Sequence, residues 1–523
     1  MTAESTDVLI VGAGPVGLTL ALDLGRRGVR CTLIERNEHA IQLPKMERCN
    51  GRTMEIYRRL GIAEAIRDAG LPREAPMDVF LATSLIDPPL AHLPYPSVAA
   101  AKADIAEHND GTRLLEPYQL ISQYTLEPLL RTFVQALPSV AVRFGCELTS
   151  YTQDPDGVTA AVTGGTIRAQ YLVGCDGGSS TVRKQAGIRL EGRGGIRTLR
   201  QALFHCPRLY EAMPIGKGRH YHIAEPPLFP FIILQDSTRH WTLHAATSSD
   251  DEMAALFAHS MAMSLPFDVL SVNEWTQHLL CADRYADGRV FIAGDAAHLV
   301  IPTGGLGMNT GVGDATDLAW KLAATLAGWG GPRLLDSYDA ERRPIGLRNI
   351  AASGAAMAGR DSWRAASTLE EMARRFEVEQ RKVTEILGIE AGYQYVDSPI
   401  VWPEDGERPD PNNRAYVPTS FPGARLPHVW LDDGTALHDH LGAGFTLLRL
   451  GGTRLDTSDF EAALRGVGAP LAVLDVRDAA PREVYGHDLV LVRPDLHVAW
   501  RGHQPPLMPA AVARRATGEL LNA

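Results

Sequence analysis

An α/β architecture is what this sequence predicts: a Rossmann-type nucleotide-binding domain, an antiparallel sheet inserted into it, and a small third domain at the C-terminal end. Three observations carry the prediction. A strand, a glycine turn and a helical repeat follow one another over residues 6–24. Two later apolar strands, at 171–174 and 290–293, each lead into a step of Asp and Gly. Between them the pattern turns to alternating strands, and prolines cluster after residue 395 ahead of a last set of short strands.

The 523 residues allow two or three domains with sizeable cores. With 45% hydrophobic and 22% charged residues, the composition is that of a globular protein. A formal charge of −11 argues against binding nucleic acid or an anionic membrane, because phosphates would be repelled. The acidic start, Met1 to Asp7, lacks the pattern of a signal peptide, and no apolar run reaches a membrane span. A cytoplasmic location is therefore expected. Cys31, Cys49, Cys146, Cys175, Cys206 and Cys281 form no C-x-x-C pair, which speaks against a zinc or dithiol centre. No metal is expected.

The first element is the strand Val8 to Val11, short and β-branched as a buried parallel strand is. Gly12, Gly14 and Gly17 follow, with Pro15 and Val16 between them. Their expected tasks are a tight turn, close approach to a pyrophosphate and close helix–strand packing. The helix start offers free N–H groups to phosphates. A second strand, Cys31 to Ile34, ends in Glu35, at the distance expected of a ribose-binding carboxylate. This motif by itself does not separate NAD from FAD.

The second element, Tyr171 to Gly174, leads to Asp176-Gly177 and on to Arg183. The third, Val290 to Ala293, ends at Gly294-Asp295, and the glycine loop Pro302 to Asn309 then opens a long helix. The positive end of that helix suits the anionic end of a reduced flavin, and Asp295 suits ribityl hydroxyls. His298 and Met308 read as packing residues.

Segments 196–275 alternate as antiparallel strands do, among them Arg219 to Ile223, Phe229 to Leu234 and His240 to His244. His220 and His222 share a face there, which pocket lining explains better than a metal. After the proline-rich stretch, strands at 445–450, 471–474 and 489–492 and a strand at 498–501 point to a small α/β domain without cysteine. Dithiol chemistry is therefore excluded in that domain.

The three segments, in this order, resemble the single-component FAD-dependent aromatic hydroxylases of the p-hydroxybenzoate hydroxylase fold (group A flavoprotein monooxygenases). Pro44 to Glu55 and Ile121 to Glu127 resemble the phenol and chlorophenol hydroxylase branch. The resemblance implies a discontinuous FAD-binding domain (1–75, 112–195 and 276–394) and a substrate-binding sheet domain (76–111 and 196–275). It further implies a linker (395–425) and a thioredoxin-like domain (426–523). It implies FAD held by Gly12, Gly14, Pro15, Val16, Gly17, Glu35, Arg36, Gln123, Asp176, Gly177 and Asp295. Lys45, Arg52, Pro302, Gly305, Leu306, Gly307, Met308 and Asn309 complete that set. NADPH or NADH is implied as a transient electron source and O2 as co-substrate, with ring hydroxylation through a flavin C4a-hydroperoxide. No second glycine fingerprint is present to hold the nicotinamide cofactor.

Such chemistry needs a dry pocket, a positioned ring and removal of a phenolic proton. Glu47 is the candidate base, with a pKa expected to be raised by burial. Arg48 is a candidate for orienting an acidic or phenolic substrate, and Tyr221 for contact with the phenol. His222, Phe231, Pro302 and Gly304 are expected to line the substrate pocket. The expected substrate is a small aromatic compound, phenolic or polycyclic, including tailored natural products of secondary metabolism. A homo-oligomer is possible. Baeyer–Villiger oxygenation, oxidative decarboxylation and ligand sequestration by a non-catalytic flavoprotein stay open as alternatives. A halogenase is disfavoured, because none of the eight tryptophans forms a W-x-W motif. A plain NAD-dependent dehydrogenase would leave the second and third motifs unexplained.

Overall fold

The chain's computed structural model describes residues 4–452 and 455–519; the first three residues of the acidic start and the last four of the C-terminal domain lie outside that range. Its centre is an eight-stranded sheet. Along one path the order is Ala286–Asp287, Val290–Ile292, Gly165–Gly174, Glu4–Val11, Cys31–Glu35 and Val140–Phe144. The inner pairings are parallel, with Val8 beside Tyr171 on one side and Cys31 on the other. All three sequence motifs are thus carboxyl ends of neighbouring strands, the place where open α/β sheets bind ligands. Helix Pro15–Arg26 packs against helix Gly307–Leu326 over this sheet.

A seven-stranded sheet stands over that edge. Its order is Asp268–Thr276, Thr198–His205, His240–Ala245, Phe231–Leu234, His220–Ile223, Val79–Ala82 and Ala91–Leu93. All its pairings are antiparallel except that between His220–Ile223 and Val79–Ala82. Period-two alternation sends Tyr221, Ile232, Trp241 and Leu243 into one apolar core, and leaves His220, Ile233, Thr242 and His244 for the other face.

The C-terminal four-stranded sheet runs Leu471–Val476, Phe445–Leu450, Leu489–Val492 and Val498–Gly502, with helices Ser458–Gly466, Ala479–Tyr485 and Pro509–Ala516. This is a thioredoxin-like arrangement. It is fastened to the flavin half by buried charges. Arg425 forms a two-pronged pair with Glu55, and Arg493 reaches Glu341 and Asp317 at 2.8 and 3.1 Å. Among the described residues no helix is long and apolar enough to cross a membrane.

Candidate active site

The nucleotide cradle is built by backbone approach. Gly12 has φ +106°, and a Cβ there would collide with the Cys175 carbonyl; one on Gly17 would collide with the carbonyl of Gly12. Gly17 therefore serves packing and does not reach the cavity. Gly14 is the opposite case, with φ −72° and nothing within 4 Å of where a Cβ would stand. Helices Pro15–Arg26 and Gly307–Leu326 both begin without a side-chain cap, so their first N–H groups are open to a ligand. Glu35 Oε2 accepts the Ala13 N–H at 2.9 Å, which fixes the carboxylate beside the glycine turn. Asp176 caps the short helix Thr181–Gln185, accepting the N–H groups of Thr181 and Val182 at 2.7 and 3.1 Å. Arg183 donates to the carbonyl of Ala296 at 3.2 Å and so ties the second motif to the third.

Cradle and roof sheet enclose one cavity of about 1340 Å³. That exceeds the roughly 300–1,000 Å³ of a site for one drug-sized ligand, leaving room for a dinucleotide and a second ring system together. Gly12, Gly14, Pro15, Val16, Glu35, Arg36, Lys45, Glu47 and Arg48 line it. So do Gln123, Asp176, Gly177, Phe231, Asp295 and the run Pro302 to Gly305, with Gly307, Met308 and Asn309.

Besides Gly17, four expected residues do not. Arg52 donates to the Asp495 carbonyl at 2.9 Å, so it anchors the C-terminal domain and is no flavin contact. Leu306 packs against Ile386 and Ile389. Tyr221 faces the opposite side of its strand from His220, stacks on Phe80 at 5.3 Å, and donates to the Gly216 carbonyl at 3.0 Å. His222 lies behind Phe231, stacked at 4.2 Å, so it supports the wall without forming it. The correction for the last two comes from the pleat and from a ring of intervening size.

Glu47 sits just ahead of the two-residue strand Arg48–Cys49, which pairs with Gln119–Leu120. Its Oε2 and Oε1 lie 2.9 and 3.1 Å from His220 Nε2. Burial alone would raise its pKa as expected, but His220, Arg219 and Arg48 outweigh burial and hold it at about 2. Glu47 is therefore ionised, and its basicity is expressed through the imidazole. Burial lowers His220, with Glu47 opposing; the neutral ring donates Nε2–H to Glu47 and keeps Nδ1 without a partner among the described residues. Arg48 turns away from that pair. Its guanidinium donates to the Gly304 carbonyl at 2.6 Å and to Glu390 at 3.1 Å. Asn309 locks the same loop, donating to the Gly305 carbonyl at 2.6 Å and accepting the Asn50 N–H at 2.9 Å.

Sequence reading missed several wall residues. Arg219, His244, Gln201, Trp275 and Arg360 all reach the cavity. The alternation His240, Thr242, His244 carried the signal for His244. Gln201 donates to the Pro44 carbonyl at 2.7 Å, tying the roof to the Glu47 loop. Arg360, on helix Arg333–Arg364, had no local signal.

These residues fit FAD. Two open helix starts, a glycine facing empty space and a carboxylate at the second strand end are what a flavin dinucleotide requires.

A family profile described as an FAD binding domain matches residues 5–353, and one described as the C-terminal part of aromatic-ring hydroxylases matches 419–522. The FAD-dependent monooxygenase apdD of Emericella nidulans is 33% identical, over 95% of this chain and 87% of its own. Aklavinone 12-hydroxylase DnrF of Streptomyces peucetius is 32% identical, over 83% of this chain and 89% of its own. The rebeccamycin biosynthetic enzyme RebC, solved with reduced flavin, superposes with a TM-score of 0.90 at 32% identity, over 99% of this chain and 100% of that one.

Proposed function

Because the chain belongs to the FAD-dependent aromatic-ring hydroxylases, flavoprotein monooxygenases that use FAD, O2 and reduced nicotinamide, we propose that it hydroxylates a phenolic or polycyclic aromatic ring. The observation that carries this reading is the single cavity shared by the nucleotide cradle and the roof sheet. It supports a flat substrate lying beside the flavin against the apolar side chains of Ile233, Phe231 and Trp275. DnrF, named for hydroxylating aklavinone, supports the same class.

In this reading bound FAD, once reduced, supplies the activated oxygen, and the chain supplies position and proton transfer. The uncapped N-terminus of helix Gly307–Leu326 stabilises negative charge arriving beside it. Arg48 and Asn309 keep the loop before that helix in one shape. The Glu47–His220 pair in the cavity wall takes the phenolic proton, with the carboxylate stabilising the imidazolium through Nε2. Removing the proton enriches the ring toward electrophilic attack.

The test is anaerobic. The FAD-reconstituted protein is mixed with reduced nicotinamide, with and without a panel of phenols and hydroxyanthraquinones, while flavin absorbance is followed. Faster bleaching with an aromatic compound, and a hydroxylated product on admitting air, are expected. A protein that binds no flavin, or bleaches without ever yielding an oxygenated product across the panel, overturns the reading.

A further inference from the structure

Within the hydroxylase reading, on which this inference rests, the charges around Glu47 do not balance. Three guanidinium groups, those of Arg48, Arg219 and Arg360, line this part of the cavity with the carboxylate Glu47, and a second carboxylate, Glu390, stands behind Arg48 outside it. Arg48 is paired with Glu390 at 3.1 Å, and Glu47 is taken by His220. The histidines add no charge, since burial lowers His220, His222 and His244, the last to about 4.

Arg219 is the more telling of the two remaining cations. It is 2% exposed, yet its Nε and one terminal nitrogen find no hydrogen-bond partner among the described residues. Its guanidinium lies 5.6 Å from the Tyr118 ring centre, a contact that places the plane without neutralising it. Arg360 likewise makes no ion pair or hydrogen bond with a described residue and rests 5.1 Å from the ring centre of Phe231. A buried guanidinium left without an acceptor is costly, so one facing a cavity marks where an acceptor belongs. FAD is not the obvious donor of that acceptor. The charged groups that act on Arg219 are Glu47 and Arg48, and neither belongs to the glycine cradle.

We propose that the aromatic substrate carries a carboxylate, which Arg219 binds by a charge-assisted contact while Arg360 adds a second positive charge beside it. The guanidinium fork matches a carboxylate edge to edge, and a phenolic hydroxyl would leave most of its donors unmet. The carboxylate then anchors the molecule at the roof, and the phenolic end faces His220.

The experiment compares a dihydroxyanthraquinone with its monocarboxylic acid on the FAD-loaded protein. Binding is read from the shift in the flavin absorbance band and turnover from product. The acid is expected to bind at least about tenfold more tightly than the neutral compound, and Arg219→Met is expected to erase that preference. Arg360→Met, at a position less deeply buried than Arg219, is expected to reduce it, so a misfolded Arg219 variant does not decide the question. Equal affinity for both compounds in the unaltered protein overturns the carboxylate while flavin reduction still upholds the hydroxylase. If Arg219→Met slows flavin bleaching by reduced nicotinamide with no aromatic compound present, the guanidinium serves the nicotinamide cofactor and the proposal falls. If neither compound perturbs the flavin nor yields product, the carboxylate and the hydroxylase reading fail together.

Discussion

His220 Nε2 lies 2.9 Å from Glu47 Oε2, so the carboxylate read from sequence as a base is instead half of a carboxylate–imidazole pair. The pair joins the flavin-side loop to the roof sheet. Because Glu47 stays ionised down to about pH 2, it titrates too low to set the pH profile of the reaction. His220 is expected to set it. Its pKa lies below 6.5, so activity should be level from pH 7 to 9 and fall only as the pH drops below that value. Glu47→Ala should retain FAD and lower hydroxylation by about a hundredfold, and His220→Asn should in addition remove the acid limb. A profile whose acid limb survives in His220→Asn would assign the proton to another group.

Gly14 separates folding from cofactor binding. Its φ of −72° suits any residue, it stands at the N-cap of helix Pro15–Arg26, and the space ahead of it is open. Gly14→Asp should cap that helix and hold or slightly raise the stability of the apoprotein. The same carboxylate would occupy and repel the pyrophosphate position, weakening FAD by at least about a hundredfold. Flavin fluorescence titration beside urea unfolding reads both effects. Undiminished FAD affinity would remove Gly14 from the cradle.

Acid should loosen the fold before it protonates the carboxylates. His428 and His497 are 2% and 1% exposed, and burial lowers each to about 4. Below pH 6.5 the unfolded chain binds protons at these rings while the folded chain does not, so stability is full above 6.5 and declines toward pH 4. The loss amounts to about 2 kcal/mol for each ring at pH 5. Glu47 adds its own loss only between about 4.5 and 2, the window of its lowered pKa. Urea midpoints measured from pH 8 to 5 should fall steadily, and a flat series would contradict the buried neutral rings.

What was legible in the sequence was what repeats locally. Gly12, Gly14 and Gly17 stand at fixed offsets after an apolar strand, and Asp176 and Asp295 each stand at a strand end, so all line up in one cradle or its packing. Period-two alternation announced the roof sheet but not its orientation: His220 and Tyr221 are neighbours in sequence, and the pleat sends one to the cavity and the other to Phe80. Arg52 looked like Arg48, four residues away. Only the docking of a segment 443 residues later, Asp495, decides that it faces the other domain. Arg219 and Arg360 were out of reach for the same reason, since a charge is unpaired only with respect to everything that packs around it.

That docking rests on a buried charge cluster whose removal should be severe. Arg493 donates to Glu341 at 2.8 Å and to Asp495 at 2.7 Å, and contacts Asp317 at 3.1 Å. Lys321 serves Asp317 and Glu341 at 2.7 and 2.6 Å. The side chains are at most 2% exposed, so water offers no substitute for a lost partner. Arg493→Met would leave three carboxylates facing one lysine, costing about 3–5 kcal/mol. Arg493→Lys keeps the charge but loses the fork, and should fall between. Because Asp317 lies on helix Gly307–Leu326, whose start opens onto the flavin cavity, the methionine variant should also release FAD more readily on heating. Urea unfolding and flavin release measured on the same samples test both parts: a loss under about 1 kcal/mol would mean the cluster merely coexists with the interface, and full instability with unchanged FAD retention would uncouple the domain contact from the site.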